Sequence, residues 1–169
     1  LLPAALADVL AQQGDTQQAM QLLQDRVRAQ PQDLMQRVRI AAVYTRMARL
    51  DDAEKALRDA VVALPDSDEA RLALVDFISR QRDPAAAEHL LLSYVEQQPQ
   101  AYALRFGLAT LYERAQADDK AKQVYRDIIA RDPAGIDGQL ARFKLAQWLA
   151  QHGARAEAEL LLDDDVKNN

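Results

Sequence analysis

The side chains with the widest chemical reach in this sequence are two histidines, an acidic triplet and two series of arginines. His89 and His152 are the only histidines. Neither has a second histidine three or four residues away, the spacing that would set two imidazoles on one helical face around a metal. His152 stands just before Gly153, where a cation complements the carbonyl end of a helix. Asp163-Asp164-Asp165 lacks the glycine turn and the alternating ligands of a calcium loop. No glycine-rich phosphate loop, Gly-x-Ser-x-Gly elbow or His-Glu-x-x-His sequence is present. The sequence therefore predicts no catalytic residues, no metal, no cofactor and no enzymatic activity.

The arginines are more informative. Arg37, Arg71, Arg105 and Arg142 form one series; Arg46, Arg80 and Arg114 form another, nine residues further along. At about 100° per residue, nine residues end half a turn away, so the two series lie on opposite sides of a helix. The first is expected to lay its methylene stems against a neighbouring helix, with the guanidinium reaching an acid at the surface. The second is expected to be exposed. Asp76 and Arg80 have the i,i+4 spacing of a local ion pair, and Arg46, Arg80 and Arg114 could meet acidic residues of a partner.

Both series are carried by a longer period. Pro31, Pro65, Pro99 and Pro133 recur at a constant interval of 34 residues, each after an amphipathic run, and such a period marks an array of helical repeats. In that frame small residues share two rows, Ala7/Ala41/Val75/Ala109 and Ala19/Ala53/Ala87/Ala121. Large apolar residues fill others, such as Leu6/Ile40/Leu74/Leu108 and Leu23/Leu57/Leu91/Tyr125. Spacings of three, four and seven residues within each run predict paired helices sharing a layered core. Asp15 with Gln18, and Asp51 with Glu54, have capping-box spacing, and Asp83 precedes a proline suited to a first helical position. The proline at each period closes a helix, because the residue before it disfavours helical geometry. After Pro133 the frame slips by three residues, placed in Gly135-Ile136-Asp137. A longer loop or an added helical turn is expected there, then helices near 138–151 and 155–166.

The small-residue and tyrosine spacing of Ala41/Tyr44 and Ala109/Tyr112, the alanine row and the four prolines resemble the tetratricopeptide repeat family over essentially the whole chain. The resemblance implies an all-α, right-handed α-solenoid of about five helix-turn-helix repeats. Their approximate bounds are 1–33, 34–67, 68–101, 102–138 with the three-residue insertion, and 139–169, forming a single array. Because the frame starts inside a helix and stops before the next proline position, the segment is expected to come from a longer array. The sequence departs from the family pattern where the first arginine series replaces a common tryptophan.

In this family the first helix of each pair lines a concave groove that holds protein segments. Carried over, that face reads Val38, Leu72, Phe106 and Phe143 as apolar floor. Asp76, Thr110 and Gln147 are polar wall, and Arg46, Arg80 and Arg114 are acid-reading positions. The Lys and Asn residues with which some members grip a terminal carboxylate are absent from these rows. The implied function is a scaffold or adaptor binding an extended or helical protein segment. The alternative is a structural spacer or self-assembling segment, with end-to-end association through Leu1, Leu2, Leu160 and Leu161. The alanine-, arginine- and glutamine-rich repeats also resemble long repeat arrays of bacterial envelope proteins, which implies a periplasmic or outer-membrane-associated setting.

Composition bounds the partners. With 26 acidic against 21 basic residues the net charge is −5, which offers no footprint for nucleic acid. No apolar run reaches the length of a membrane span, so direct insertion is not expected. Hydrophobic residues make up 49% and aromatics only 5%, a balance that favours closely packed helices over sheet. Cysteine is absent, which excludes disulfides and thiolate metal sites.

Overall fold

A computed structural model describes residues 6–7, 9–11 and 13–167, with side chains to residue 162. Residues 6, 7 and 9–11 belong to helix α1. It is followed by α2 (Thr16–Ala29), α3 (Leu34–Arg46), α4 (Leu50–Ala63), α5 (Asp68–Gln81), α6 (Pro84–Gln97), α7 (Tyr102–Arg114), α8 (Asp118–Arg131), α9 (Ile136–Gln151) and α10 (Arg155–Lys167). The described residues form helices joined by short turns and bends.

The two alanine-rich rows are the tightest part of each pair. Ala7, Ala19, Ala53, Ala87 and Ala109 are fully buried, and Ala41, Val75 and Ala121 nearly so. A methyl group at these positions lets helix backbones approach closely, and the larger rows fill the space on either side. Leu23, Leu57, Leu91 and Tyr125 are at most 3% exposed. At the outer helices the same rows open. Leu6 is 51% and Leu162 42% exposed, since no described helix covers those faces. Leu1, Leu2 and the Asp163–Asp165 side chains lie outside what is described.

The chain divides within α6 into two compact units, Leu1–Leu90 and Leu91–Asn169. In the first unit Ala7, Ala11, Ala19, Leu23 and Val43 form one core cluster. In the second, Ala109, Tyr125, Ile128, Ala141, Leu145, Ala146, Leu149 and Ala158 do so.

Turns inside four of the helix pairs share one design. The amides of Asp15, Arg49, Ala117 and Ala154 each donate to the carbonyl five residues earlier, at 2.9 Å, which is the outer bond of a Schellman motif. The residue just before each is left-handed: Gly14 (φ 89°), Ala48 (φ 57°), Gln116 (φ 55°) and Gly153 (φ 85°). The third pair departs, with Arg82 at φ −130° and Asp83 accepting from the Ala85 and Ala86 amides at 3.0 and 3.3 Å. Asp15 caps α2 as expected, its carboxylate accepting from the Gln18 amide at 3.2 Å. Asp51 and Glu54 do not form a cap. Ala48 takes the place of Gly14, so Arg49 holds the cap position that Asp15 has in the first pair, and Asp51 falls inside the first turn of α4. The two acids instead receive the guanidinium of Arg82.

Turns between pairs are built around the prolines. Asp33, Ser67 and Ala101 donate their amides to the carbonyls of Gln30, Leu64 and Gln98 at 3.0–3.1 Å, so Pro31, Pro65 and Pro99 occupy the second position of a β-turn, where a fixed φ is favourable. Asp33 then caps α3. Its carboxylate takes the side-chain amide of the buried Gln36 at 3.0 Å and the Gln36 backbone amide at 3.4 Å, which together hold its pKa below the ordinary carboxylate value.

The first arginine series locks these turns. Arg37 donates to the Pro31 carbonyl at 3.0 Å, Arg105 to that of Pro99 at 3.1 Å, Arg142 to that of Pro133 at 2.6 Å, and Arg71 to that of Pro65. The expected acidic partner is thus mainly a backbone carbonyl, although Arg71 also meets Asp68 and Arg105 meets Asp127, both at 2.9 Å.

The three-residue slip lengthens a helix. α9 has 16 residues where α3 and α7 have 13, and it begins at Ile136, two residues before the expected start. The Asp132 carboxylate accepts from the Asp137 and Gly138 amides at 3.1 and 3.2 Å. A β-carbon on Gly138 would lie 1.7 Å from the Asp132 carbonyl oxygen, so the backbones approach as only glycine allows.

Candidate functional site

In the first unit a groove of about 400 Å³ runs between α3 and α5. Val38, Ala41 and Ala42 from α3, Leu57 from α4, and Ala73 and Phe77 from α5 give it an apolar floor. Thr45 lines it too, with its hydroxyl turned back to the Ala41 carbonyl at 2.8 Å. Arg46 and Arg80, both in the last turns of their helices, stand at the wall with Asp76. Such a position is favourable for a cation even without a ligand, because the carbonyl end of a helix is negative. The Arg80 Nε donates to Asp76 at 3.0 Å. The structure thus gathers Val38, Arg46, Asp76 and Arg80 around one groove. Leu72 is half-buried and does not line it; Ala73 and Phe77 do, a step around α5 from the expected position.

The second unit offers a different surface. Phe106 is half-buried against the core cluster, its ring 6.4 Å from that of Tyr125. Thr110 is exposed and returns its hydroxyl to the Phe106 carbonyl at 3.0 Å. Phe143 is 59% exposed on α9, and Arg114 is exposed at the end of α7. Gln147 lines a larger, mostly polar groove of about 630 Å³ together with Glu113, Gln116, Tyr125, Trp148 and His152. Within it the Tyr125 hydroxyl donates to Glu113 at 2.8 Å. Burial pushes the Tyr125 phenol well above its ordinary pKa, and the adjacent Glu113 carboxylate adds to that shift. His152 stacks on Trp148 at 3.9 Å between ring centres, and the Lys122 ammonium sits 5.0 Å from the same indole.

Sequence reasoning placed Tyr125 in the core and His152 at a helix end; both descriptions hold, yet both residues also line this groove. Trp148 is not marked out by the repeat period. Its signal was its position four residues before His152, on the same side of α9. Among the described residues no group of three His, Cys, Asp or Glu side chains could hold a metal ion. No described helix is long and apolar enough to cross a membrane.

Compared with family models and with curated proteins, the sequence matches none. Solved structures do match. MamA aligns with a TM-score of 0.54 at 20% identity over 95% of this chain and 92% of MamA. A tetratricopeptide repeat protein from Parabacteroides merdae aligns at 0.56 and 16% identity, over 98% of this chain and 64% of its own. Nearly identical TPR-like repeats from Podosopora anserina align at 0.56 and 19% identity, over 98% and 92%. Period, turn chemistry and these likenesses agree: the fold of this chain is the tetratricopeptide-repeat fold.

Proposed function

We propose that the chain is a protein-interaction module that holds a segment of another protein against the first helices of its pairs. The observation that carries this reading is the α3–α5 groove. Its floor is apolar and accessible, and charged groups stand at its wall, the arrangement suited to a peptide that needs both anchorage and orientation. In the second unit Phe106, Thr110, Phe143, Gln147 and Arg114 supply further contact positions on α7 and α9; in the first unit Leu72 supplies one on α5, outside the groove. Nucleic acid is disfavoured as a partner by the net charge of −5. The resemblance of the repeats to arrays of bacterial envelope proteins supports an envelope setting, which fractionation of a native host would check.

The test is to fill the groove. Ala42 is exposed and lines it, so Ala42→Trp should abolish binding of a partner recovered with the wild-type chain, with helicity and melting unchanged. Phe106→Ala combined with Arg80→Ala should weaken the same partner. Lys55→Ala and Gln123→Ala, on second helices, should leave it intact. A partner that responds to Lys55 and Gln123 but ignores Ala42, Phe106 and Arg80 would overturn the groove reading.

A second reading, a self-assembling spacer, draws support from the outer helices, where Leu6 and Leu160 are 51% and 67% exposed. Sedimentation over a concentration series separates the two, because a spacer assembles through its ends while Ala42→Trp leaves the assembly unchanged.

A further inference from the structure

The charges around the α3–α5 groove do not balance, and that imbalance names the chemistry of the occupant. Two guanidiniums, Arg46 and Arg80, face one carboxylate, Asp76. Asp76 is engaged by Arg80 at 3.0 Å, with both side chains about half exposed. Arg46 makes no hydrogen bond or ion pair with any described residue. Left open, the groove keeps its extra positive charge solvated. Once a partner covers the floor, water is stripped from the walls, and an uncompensated charge there is strongly unfavourable. A purely apolar segment would leave that charge buried. A segment carrying a carboxylate would neutralise it.

We propose that this groove takes a partner segment in which an Asp or Glu side chain stands next to an aliphatic one, and that Asp76 sets the selectivity by neutralising Arg80, so that Arg46 is the position left for the segment's acid. The inference rests on the protein-interaction reading above and specifies its ligand. The aliphatic side chain would lie on the floor of Val38, Ala42, Ala73 and Phe77, with the carboxylate at Arg46. The Asp76–Arg80 pair, solvated and local, stays in place beside it, and the Asp76 carboxylate repels a second acid. The remainder of this acidic chain repels the same segment, so the positive wall also fixes where it lands.

The probe is a display library of random dodecapeptides fused through their C-termini, so that side chains supply the only carboxylates, selected on the whole chain at low salt. Enriched sequences should place Asp or Glu beside Leu, Ile or Val. Changing the acid to its amide, or Arg46→Ala in the protein, should weaken a selected peptide about fivefold, and raised salt should do likewise, while Asp76→Ala should tighten it about twofold or more, the scale of an exposed ion pair. Asp76→Asn, which keeps shape and removes charge, should act as Asp76→Ala does. Apolar peptides without acids, indifferent to Arg46→Ala, would overturn the carboxylate preference and leave the groove reading standing. Acidic peptides that bind equally to wild type and both Asp76 variants would remove Asp76 from the proposal. If no selected peptide is displaced by Ala42→Trp, both the inference and the groove reading fall.

Discussion

Two sides of the same first helices carry the same residue type and use it in opposite ways. On one side Arg71 and Arg105 have side chains only 11% and 10% exposed, with guanidiniums on the carbonyls of the preceding proline turns. On the other, nine residues along, Arg80 is 58% exposed and, among the described residues, pairs with its helical neighbour Asp76. A guanidinium can satisfy a buried carbonyl in a fixed plane or wait in solvent, and the surroundings decide which. The first row adds to the stability of the pairs by satisfying turn carbonyls; the second lies at the surface, where its charge is open to solvent and to other molecules.

The contrast can be broken most forcefully from the acceptor side. Gly138→Ala would push a β-carbon into the Asp132 carbonyl, which lies 1.7 Å from where that atom must go, and would displace the Pro133 carbonyl from Arg142. A loss of about 3 kcal/mol in urea unfolding is expected, and a wild-type melt would show that the 132–138 segment is not held as described. Next in size, Arg105→Ala should cost about 2 kcal/mol, since it strands the Pro99 carbonyl and removes the stem packing. Arg105→Lys should recover less than half of that, because an ammonium cannot reach Pro99 and Asp127 in one plane. Arg37, half-buried and with the Pro31 carbonyl as its hydrogen-bond partner among the described residues, should cost about 1 kcal/mol or less on mutation to Ala. Smallest of all, Arg46→Ala and Arg80→Ala should leave stability within about 0.5 kcal/mol of wild type, and their effect should surface in peptide titrations. Equal losses for Arg46 and Arg105 would erase the distinction between the rows.

Much of this was legible in the sequence, and the reason is periodicity. A repeat that recurs every 34 residues restates its core several times, so the alanine rows and the helix breaks could be read from internal agreement alone. Features that occur once, or that depend on backbone, were harder. A carbonyl acceptor leaves no mark in the sequence, so the arginine row pointed to acids when its shared partner is the proline turn. Ala48 adopts a left-handed conformation that Gly14 and Gly153 announce by their identity; without that cue Asp51 and Glu54 resembled a cap. Leu72 and Phe77 differ in which part of α5 they face, and a period identifies a helical face only to within about one residue. Tyr125 belongs to a core row and also presents its hydroxyl to Glu113, a double role that apolar patterning does not register.

The left-handed Ala48 and Gln116 have a consequence for how this chain tolerates change. Each holds a φ that costs an L-residue about 1 kcal/mol or more relative to glycine, and each sits in a turn whose hydrogen bonds are backbone to backbone. Glycine at either place would raise the melting temperature without altering any side chain of the α3–α5 groove. The two positions therefore give the lineage, or an engineer, room to accept destabilising changes elsewhere, and specificity could drift on the first helices while the turns absorb the loss.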